Sequence, residues 1–300
     1  MDFPLIMNHK NNLDAKLKHA VMRAGRAVDT RLLKHDRLPE QNWNTIPQVF
    51  IVSTGRTGTL FFARYYNLFP GLRSLHEPRP DFKELAIAYA QGHVPFKTAV
   101  REIERQRRPH YRELRRRGIS LYIESNNRFF SLLNPLRAAF PESKIVYIVR
   151  DGRDYVRSGL SRNWYTPGDT EPRLRADMFP DDPWSDQWES MDRFQKIAWR
   201  WRKKDGFIQK DFEHLDNAVK VTFEDIFLDP DKKGLYRINR FIGIPDKDTR
   251  RYLKRMGGRK VNTNTQKPIP KWTMWDAEMT RKFDEIAGEH WRLHYGNGDW

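Results

Sequence analysis

The feature that most constrains the fold is a hydrophobic segment that runs directly into a glycine-punctuated turn and then into a helix. Gln48–Thr54 is apolar and β-branched, which is typical of a buried strand. Gly55 and Gly58 follow it, and a helix is predicted over Leu60–Leu68. Glycine lets the backbone turn tightly and aim successive N–H groups at an anion, and a helix N-terminus adds its positive dipole end. The segment therefore predicts an anion-binding turn at the carboxyl end of a strand.

Strands and helices alternate along the rest of the chain. Further strand-like segments lie at Ile119–Glu124, Lys144–Val149 and Val219–Phe223, with helical segments between them. This order predicts an α/β fold of the P-loop NTPase type, with a parallel sheet flanked by helices on both faces. We assign residues 46–300 to that domain. The Pro-, Asp- and Trp-rich segment Asn163–Trp188 is expected to be a long loop or insertion.

Residues 1–45 are predicted to form a separate, basic amphipathic helical arm. From Leu13 to Leu32 the apolar residues recur every three or four positions, and most lysines and arginines lie off that stripe. Such a helix either packs on its own domain or contacts a membrane surface or a partner. The pattern alone leaves these readings open.

The formal charge of +16 indicates either an anionic partner or a solvated basic surface that only aids solubility. Nucleic acid, anionic lipid, an acidic polysaccharide and a phosphate-rich cofactor all fit, but there is no helix-turn-helix, zinc or RNA-recognition signature for a specific nucleic-acid partner. The chain has no cysteine, which excludes disulfides and thiolate metal sites. No segment reaches the roughly 20 apolar residues of a membrane helix, and Met1–Asn12 has no signal-peptide core. We therefore expect a cytoplasmic protein.

The turn is not that of a nucleotide kinase. The pattern G-x-x-x-x-G-K-[ST] is absent, the loop is shorter, and Arg56 lies inside it instead of a lysine. Mg-dependent nucleotide hydrolysis is disfavoured, although a P-loop kinase or NTPase remains the alternative.

Two motifs carry a resemblance to a known family. The first is Arg56-Thr57-Gly58-Thr59-Leu60, and the second is the strand Ile145–Val149 followed by Arg150, with Ser158 eight residues later. In both respects the chain resembles the sulfotransferases that use 3′-phosphoadenosine-5′-phosphosulfate (PAPS) and release the desulfated nucleotide PAP. A weaker match, Val221–Asp225 with Phe241–Pro245, supports the same family.

The resemblance implies a set of cofactor-binding residues and no metal. The first motif would hold the 5′-phosphosulfate, Arg150 and Ser158 would hold the 3′-phosphate, and the basic loop Gly257–Lys271 would cover the cofactor. Arginine's planar fork suits phosphate and sulfate oxygens, which agrees with these positions. The expected cofactor-binding residues are Gly55, Arg56, Thr57, Gly58, Thr59, Leu60, Arg150, Ser158, Arg259 and Lys260.

The resemblance also implies a catalytic base. In glycan and tyrosyl sulfotransferases a glutamate at the position of Glu77 takes the acceptor proton, and an arginine like Arg79 lies beside it. His76 is the alternative base, and Arg56 is expected to stabilise the transferring group. A glutamate-type site and a basic surface favour a sugar hydroxyl, on an anionic glycan or another carbohydrate. A tyrosyl or small-alcohol acceptor stays open.

One expected residue is missing. Several members of the family carry a lysine after the strand that corresponds to Ile119–Glu124, where it assists the leaving phosphate. This chain has Glu124-Ser-Asn-Asn-Arg128 there. Arg128, a lysine of the late loop (Lys260, Lys267 or Lys271) or Arg56 alone is expected to substitute.

Overall fold

The computed structural model describes residues 45–257 and 270–296, and a five-stranded parallel sheet forms their centre. The strands lie in the order β2-β3-β1-β4-β5, and each neighbouring pair is parallel. The strands are β1 Gln48–Ser53, β2 Leu72–His76, β3 Leu121–Ser125, β4 Lys144–Val149 and β5 Ala218–Thr222. The strand at the β2 edge is a segment that the sequence marks only as short and extended.

Helices connect the strands, and the first begins at Thr59, one residue before the predicted start at Leu60. They are α1 Thr59–Tyr66, α2 Lys83–Ala90, α3 Phe96–Arg116, α4 Leu133–Ala139, α5 Gly152–Leu160, α6 Arg193–Phe212, α7 Phe223–Phe227, α8 Lys233–Ile242, α9 Asp246–Met256, α10 Ala277–Phe283 and α11 Glu289–Tyr295. A π-helical turn, Asp284–Gly288, joins α10 to α11. Short 3₁₀ turns lie at Asn127–Ser131, Ala176–Met178 and Trp272–Met274.

Helices cover both faces of the sheet, because the apolar side chains along each strand point alternately to one face and to the other. Val49 and Ile51 point to the face covered by α1, α8 and α9, in one buried cluster with Phe62 and Ile238. Phe50 points to the opposite face, where its ring lies 5.1 Å from that of Phe140. The expectation of an α/β fold with a helix-flanked parallel sheet is therefore confirmed.

The strand register gathers the chain's functional motifs at one edge. Ser125 pairs with both Ile51 and His76, and Ile148 pairs with Ser53, so the carboxyl ends of β1–β4 lie together. In open α/β sheets this is the edge at which ligands bind.

The 163–188 segment is tied to the domain at several points. Trp164 is buried against α5, where a Cβ at Gly159 would come within 2.6 Å of its ring. The Tyr165 hydroxyl donates to the Leu174 carbonyl at 2.6 Å. Buried Asp182 accepts from the Trp199 indole on α6 at 2.9 Å. In this structure Trp164 and Tyr165 anchor the loop.

A buried carboxylate holds the last helix against α6. Asp205 is fully buried and accepts hydrogen bonds from the Tyr147 hydroxyl (2.5 Å) and the His290 Nε2 (2.7 Å). His294 Nε2 contacts the same carboxylate oxygen as His290. Burial alone would raise the pKa of Asp205, but the hydrogen bonds from His290 and His294 hold it below its ordinary value.

This depressed pKa predicts how stability depends on pH. The native pKa of Asp205 lies below its unfolded value of about 3.9, so the carboxylate stabilises the fold above that pH. Its contribution is lost as the pH falls toward the native pKa. We expect urea denaturation between pH 5 and pH 3 to show a smaller loss of unfolding free energy for Asp205→Asn than for the wild type, because the variant has already lost this term at pH 5. Asp186→Asn, at an exposed position, should follow the wild type. Parallel curves for Asp205→Asn and the wild type would contradict the linkage.

Candidate active site

Two glycines give the turn after β1 its backbone conformation, and hydrogen bonds to a serine at the end of β1 stabilise it. Gly55 and Gly58 have φ of 99° and 66°, which side chains disfavour. A Cβ at Gly58 would also come within 2.7 Å of the Phe227 ring. The buried Ser53 hydroxyl accepts from the Gly55 amide (3.1 Å) and from the Thr57 hydroxyl (2.8 Å). Thr59 begins α1 directly after the turn, and Leu60 follows it.

The two sequence motifs meet in space. Arg56 Nε donates to the Ser158 hydroxyl at 3.1 Å. The Arg150 guanidinium donates to the Arg56 carbonyl, across 94 positions of sequence. The turn after β1, the residue after β4 and helix α5 thus form one cluster, in which two guanidinium groups approach each other.

That cluster carries an excess of positive charge. Burial, together with the charges of Arg162 and Arg150, lowers the pKa of Arg56 to about 10, so it remains a cation at neutral pH. Burial also lowers the pKa of Arg150, whose closest carboxylate oxygen, on Asp154, is 4.0 Å away. A buried Arg150 nitrogen, Nε, has no hydrogen-bond partner among the described residues. A hydrogen-bond donor without a partner, close to several cations, is suited to bind an anionic ligand.

Arg153, in contrast, has a structural place. It pairs with Asp151 at 2.7 Å. Its guanidinium lies 3.6 Å from the centre of the Trp272 ring and 4.3 Å from that of Trp291. This arginine therefore packs the late part of the chain onto α5.

Glu77 lies beside the turn and is connected to it through one asparagine. Its amide donates to the Ser125 carbonyl at 3.0 Å, and its backbone is left-handed, with φ of 43°. The Asn127 amide group donates to the Glu77 carboxylate. The Asn127 side chain also lies 3.4 Å from where a Cβ of Gly55 would be, which places the carboxylate near the turn.

The arginine expected beside the base is not Arg79. Its side chain is 91% exposed, and its closest carboxylate is Asp81, 3.9 Å away. The arginine next to Glu77 is Arg128, at 3.8 Å. The buried Arg107, in contrast, contacts this loop and donates to the carbonyl of Pro80 at 3.0 Å.

His76 is directed at β3 and not at the turn. Its Nδ1 lies 3.3 Å from both the carbonyl and the hydroxyl oxygen of Ser125. His76 therefore belongs to the same sheet edge as Glu77, with hydrogen-bond contacts of its own.

A buried ion pair that the sequence analysis did not identify supports the Glu77 loop. Arg107 and Glu124 are both inaccessible to solvent, and two N–H groups contact the carboxylate at 2.7 and 2.9 Å. The Tyr122 hydroxyl (2.9 Å) and the Asn126 amide (3.0 Å) complete the carboxylate's shell. A buried pair persists only when its remaining hydrogen bonds are satisfied, as they are here.

Lys204, on α6, was also missed. Its ammonium donates to the carbonyl oxygens of Thr54 (2.7 Å) and Asn127 (3.0 Å) and contacts the Asn127 side-chain oxygen at 3.2 Å. Burial, followed by the charges of Arg200 and Arg128, lowers its pKa well below the ordinary lysine value. Lys204 therefore links the start of the turn to Asn127, the residue whose amide group donates to the Glu77 carboxylate.

Several expected residues lie outside the described part of the chain. They are Arg259, Lys260, Lys267 and the arm of residues 1–44. Lys271 is described and exposed. None of the helices in the described ranges is long and apolar enough to cross a membrane.

Comparison with known proteins identifies the family. A model of the sulfotransferase domain matches residues 46–297, so the chain belongs to the sulfotransferase family. This confirms the recognition of a PAPS-dependent sulfotransferase and argues against a kinase. No curated protein matches the chain in sequence.

Solved structures of sulfotransferases are similar to this chain at low sequence identity. STF9 from Mycobacterium avium is 13% identical, with a TM-score of 0.51 over 83% of this chain and 76% of that one. Mouse SULT7A1, solved in complex with PAP, is 16% identical, with a TM-score of 0.47 over 83% of this chain and 88% of that one. The enzyme from Alicyclobacillus acidocaldarius is 12% identical, with a TM-score of 0.47 over 85% and 97%.

The role of Lys204 can be tested on stability. Lys204→Met leaves two buried carbonyls without their donor, and we expect it to lower the unfolding free energy by about 1–3 kcal/mol in urea denaturation. Lys210→Met, at an exposed position two turns further along α6, is the matched control and should change stability little. Equal stability of the two variants would contradict the role assigned to Lys204.

Proposed function

We propose that this sulfotransferase binds PAPS between the turn after β1 and the start of α5 and transfers its sulfuryl group to a carbohydrate hydroxyl, with Glu77 as general base. The observation that carries the proposal is the contact of Arg56 with Ser158 and Arg150. This contact places two cations in one cluster, one for each anionic end of a donor that carries a phosphosulfate and a 3′-phosphate.

The residues of the cluster suit the two ends of such a donor. The turn Gly55–Leu60 would bind the 5′-phosphosulfate through backbone N–H groups, the Arg56 side chain and the N-terminus of α1. Arg150 and Ser158 would bind the 3′-phosphate, for which Arg150 keeps a buried, unpaired Nε. Coverage of the nucleotide by Arg259 and Lys260 stays a prediction.

The chemistry is an in-line displacement at sulfur. Glu77 accepts the proton of the acceptor hydroxyl as its oxygen forms the new S–O bond, and the old S–O bond breaks with its electron pair going to the leaving phosphate. Asn127 and Arg128 orient the Glu77 carboxylate through the contacts described above. Arg56 stabilises charge on the sulfuryl oxygens and the leaving phosphate, with Arg128 as the second cation within reach.

The proposed acceptor rests on the glutamate-type site. A carboxylate base next to an arginine is the arrangement that the resemblance associates with glycan and tyrosyl sulfotransferases, and the basic composition of the chain favours an anionic glycan between the two. A tyrosyl or small-alcohol acceptor is the alternative within the same class. A transfer assay with radiolabelled PAPS across glycans, peptides and phenols separates them. The same assay in EDTA tests the prediction that no metal is required.

Donor binding predicts a stabilisation that depends on both motifs. PAP should raise the melting temperature of the wild type, and Arg56→Ala or Arg150→Ala should abolish the shift because each removes a cation from one end of the site. Arg79→Ala, with its guanidinium in solvent, is the control and should keep the shift. A wild-type melting curve unchanged by millimolar PAP would overturn the proposal.

The base predicts a kinetic effect without a binding effect. Glu77→Gln should lower kcat by about 10²–10⁴-fold, the usual range for general-base catalysis, while the melting shift with PAP stays. His76→Asn should retain most of the activity. If His76→Asn is inactive and Glu77→Gln is active, the base is His76.

A further inference from the structure

Helix α6 carries a buried cation that has no ion-pair partner among the described residues. Arg200 is only 6% exposed and lies on the buried stripe of the helix with Ile197 and Trp201. Its Nε and Nη1 have no hydrogen-bond partner within residues 45–257 and 270–296. A buried guanidinium without an acceptor is costly, so such a position indicates a ligand that supplies the acceptor.

Trp164 and two residues next to its ring define, with Arg200, the Arg200 cluster. The Arg200 guanidinium lies 4.5 Å from the centre of the Trp164 ring, and that of Arg173 lies 5.1 Å from it. The Tyr155 ring centre is 5.4 Å from that of Trp164. The Tyr155 hydroxyl is likewise buried and has no partner among the described residues. Two adjacent groups, a phenol and a guanidinium, are therefore left with unused donors.

The cluster adjoins the proposed active site. Tyr155 lies three residues before Ser158 on α5, and Arg200 lies one turn before Lys204 on α6. Burial raises the pKa of the Tyr155 phenol, and the positive charges of Arg200, Arg173, Arg56 and Arg128 oppose that rise. Four cations thus act on one hydroxyl. Arg173 has a carboxylate partner, with its Nη2 donating to Asp169 at 3.0 Å, whereas Arg200 forms no ion pair in the described ranges.

We propose that the Arg200 cluster is the subsite for an anionic group of the acceptor, a carboxylate, sulfate or phosphate carried near the hydroxyl that receives the sulfuryl group. The inference rests on the proposed function, because the donor's own anions are assigned to the turn, Arg150 and Ser158. Arg200 offers the fork that binds planar or tetrahedral oxyanions, and the Tyr155 hydroxyl adds a donor.

The test measures binding to the enzyme saturated with PAP, so that the donor site is filled. Methyl β-D-glucuronide and methyl β-D-glucoside, which differ in one carboxylate, are titrated by calorimetry, and inorganic sulfate is titrated as the bare anion. We expect the glucuronide and sulfate to bind and the glucoside to bind much more weakly. Arg200→Met should weaken glucuronide binding by about 10–100-fold, as loss of a charged hydrogen bond does, while the PAP shift remains. Arg200→Lys should recover part of the affinity.

Arg202→Met is the matched control, because Arg202 lies on the same helix but pairs with Asp182 at 3.3 Å. It should bind the glucuronide as the wild type does. Stability gives a second readout. Removing an unpaired buried cation should leave the melting temperature of ligand-free Arg200→Met unchanged or higher.

Three results would overturn the subsite: no binding of either anion, equal binding to Arg200→Met, or a large loss of stability in Arg200→Met that shows a structural role. Failure of PAP to stabilise the wild type would instead overturn the proposed function. The glucuronide titration of the protein alone would then still decide whether Arg200 binds an anion.

Discussion

The candidate site depends on one contact, the hydrogen bond from the Arg150 guanidinium to the carbonyl of Arg56. It fixes a turn whose central residue, Arg56, is left-handed without being glycine, with φ of 63°. Such a conformation persists only where the surroundings determine it. Here Ser53 holds the turn from below, and Ser158 holds the Arg56 side chain at 3.1 Å. The contact brings two cations together, and bound anions would offset their mutual repulsion. The same hydrogen bond therefore stabilises the turn and places two cations where an anionic ligand would be bound.

The sequence was sufficient for the sheet and for the meeting of the motifs. Buried parallel strands are short apolar runs, and Val49–Val52 and Ile145–Val149 are of that kind. A parallel sheet brings the carboxyl ends of its strands to one edge, so residues that follow two strands must be neighbours there. The edge strand Leu72–His76 was harder to predict because only its central residue is buried. The exposure of Arg79 could not be predicted for a related reason, because sequence spacing does not show on which side of a turn a side chain emerges.

The residues that were missed share one property. Arg107, Arg200 and Lys204 are charged, yet they lie on the buried stripes of α3 and α6. In α6 the stripe runs through Ile197, Trp201 and Ile208, and the two cations fall at the same helical spacing. That departure from the apolar pattern was visible in the sequence. What the buried cations bind was not visible, because a helical pattern does not show the partner of a side chain. Arg107 pairs with a carboxylate, Lys204 donates to carbonyl oxygens, and Arg200 has neither among the described residues.

The three buried cations differ in what offsets the free-energy cost of burying their charge. Arg107 is neutralised by Glu124, so it adds rigidity to the Glu77 loop without adding net charge. Lys204 keeps its hydrogen bonds but lacks a carboxylate, and the fold accepts this because the ammonium joins the turn to Asn127. Arg200 has neither within the described ranges. A chain selected for stability alone would replace it with an apolar residue, since an isolated buried charge only destabilises. Its position one helical turn from Lys204 is the reason for proposing an anion-binding subsite there, beside the proposed donor site.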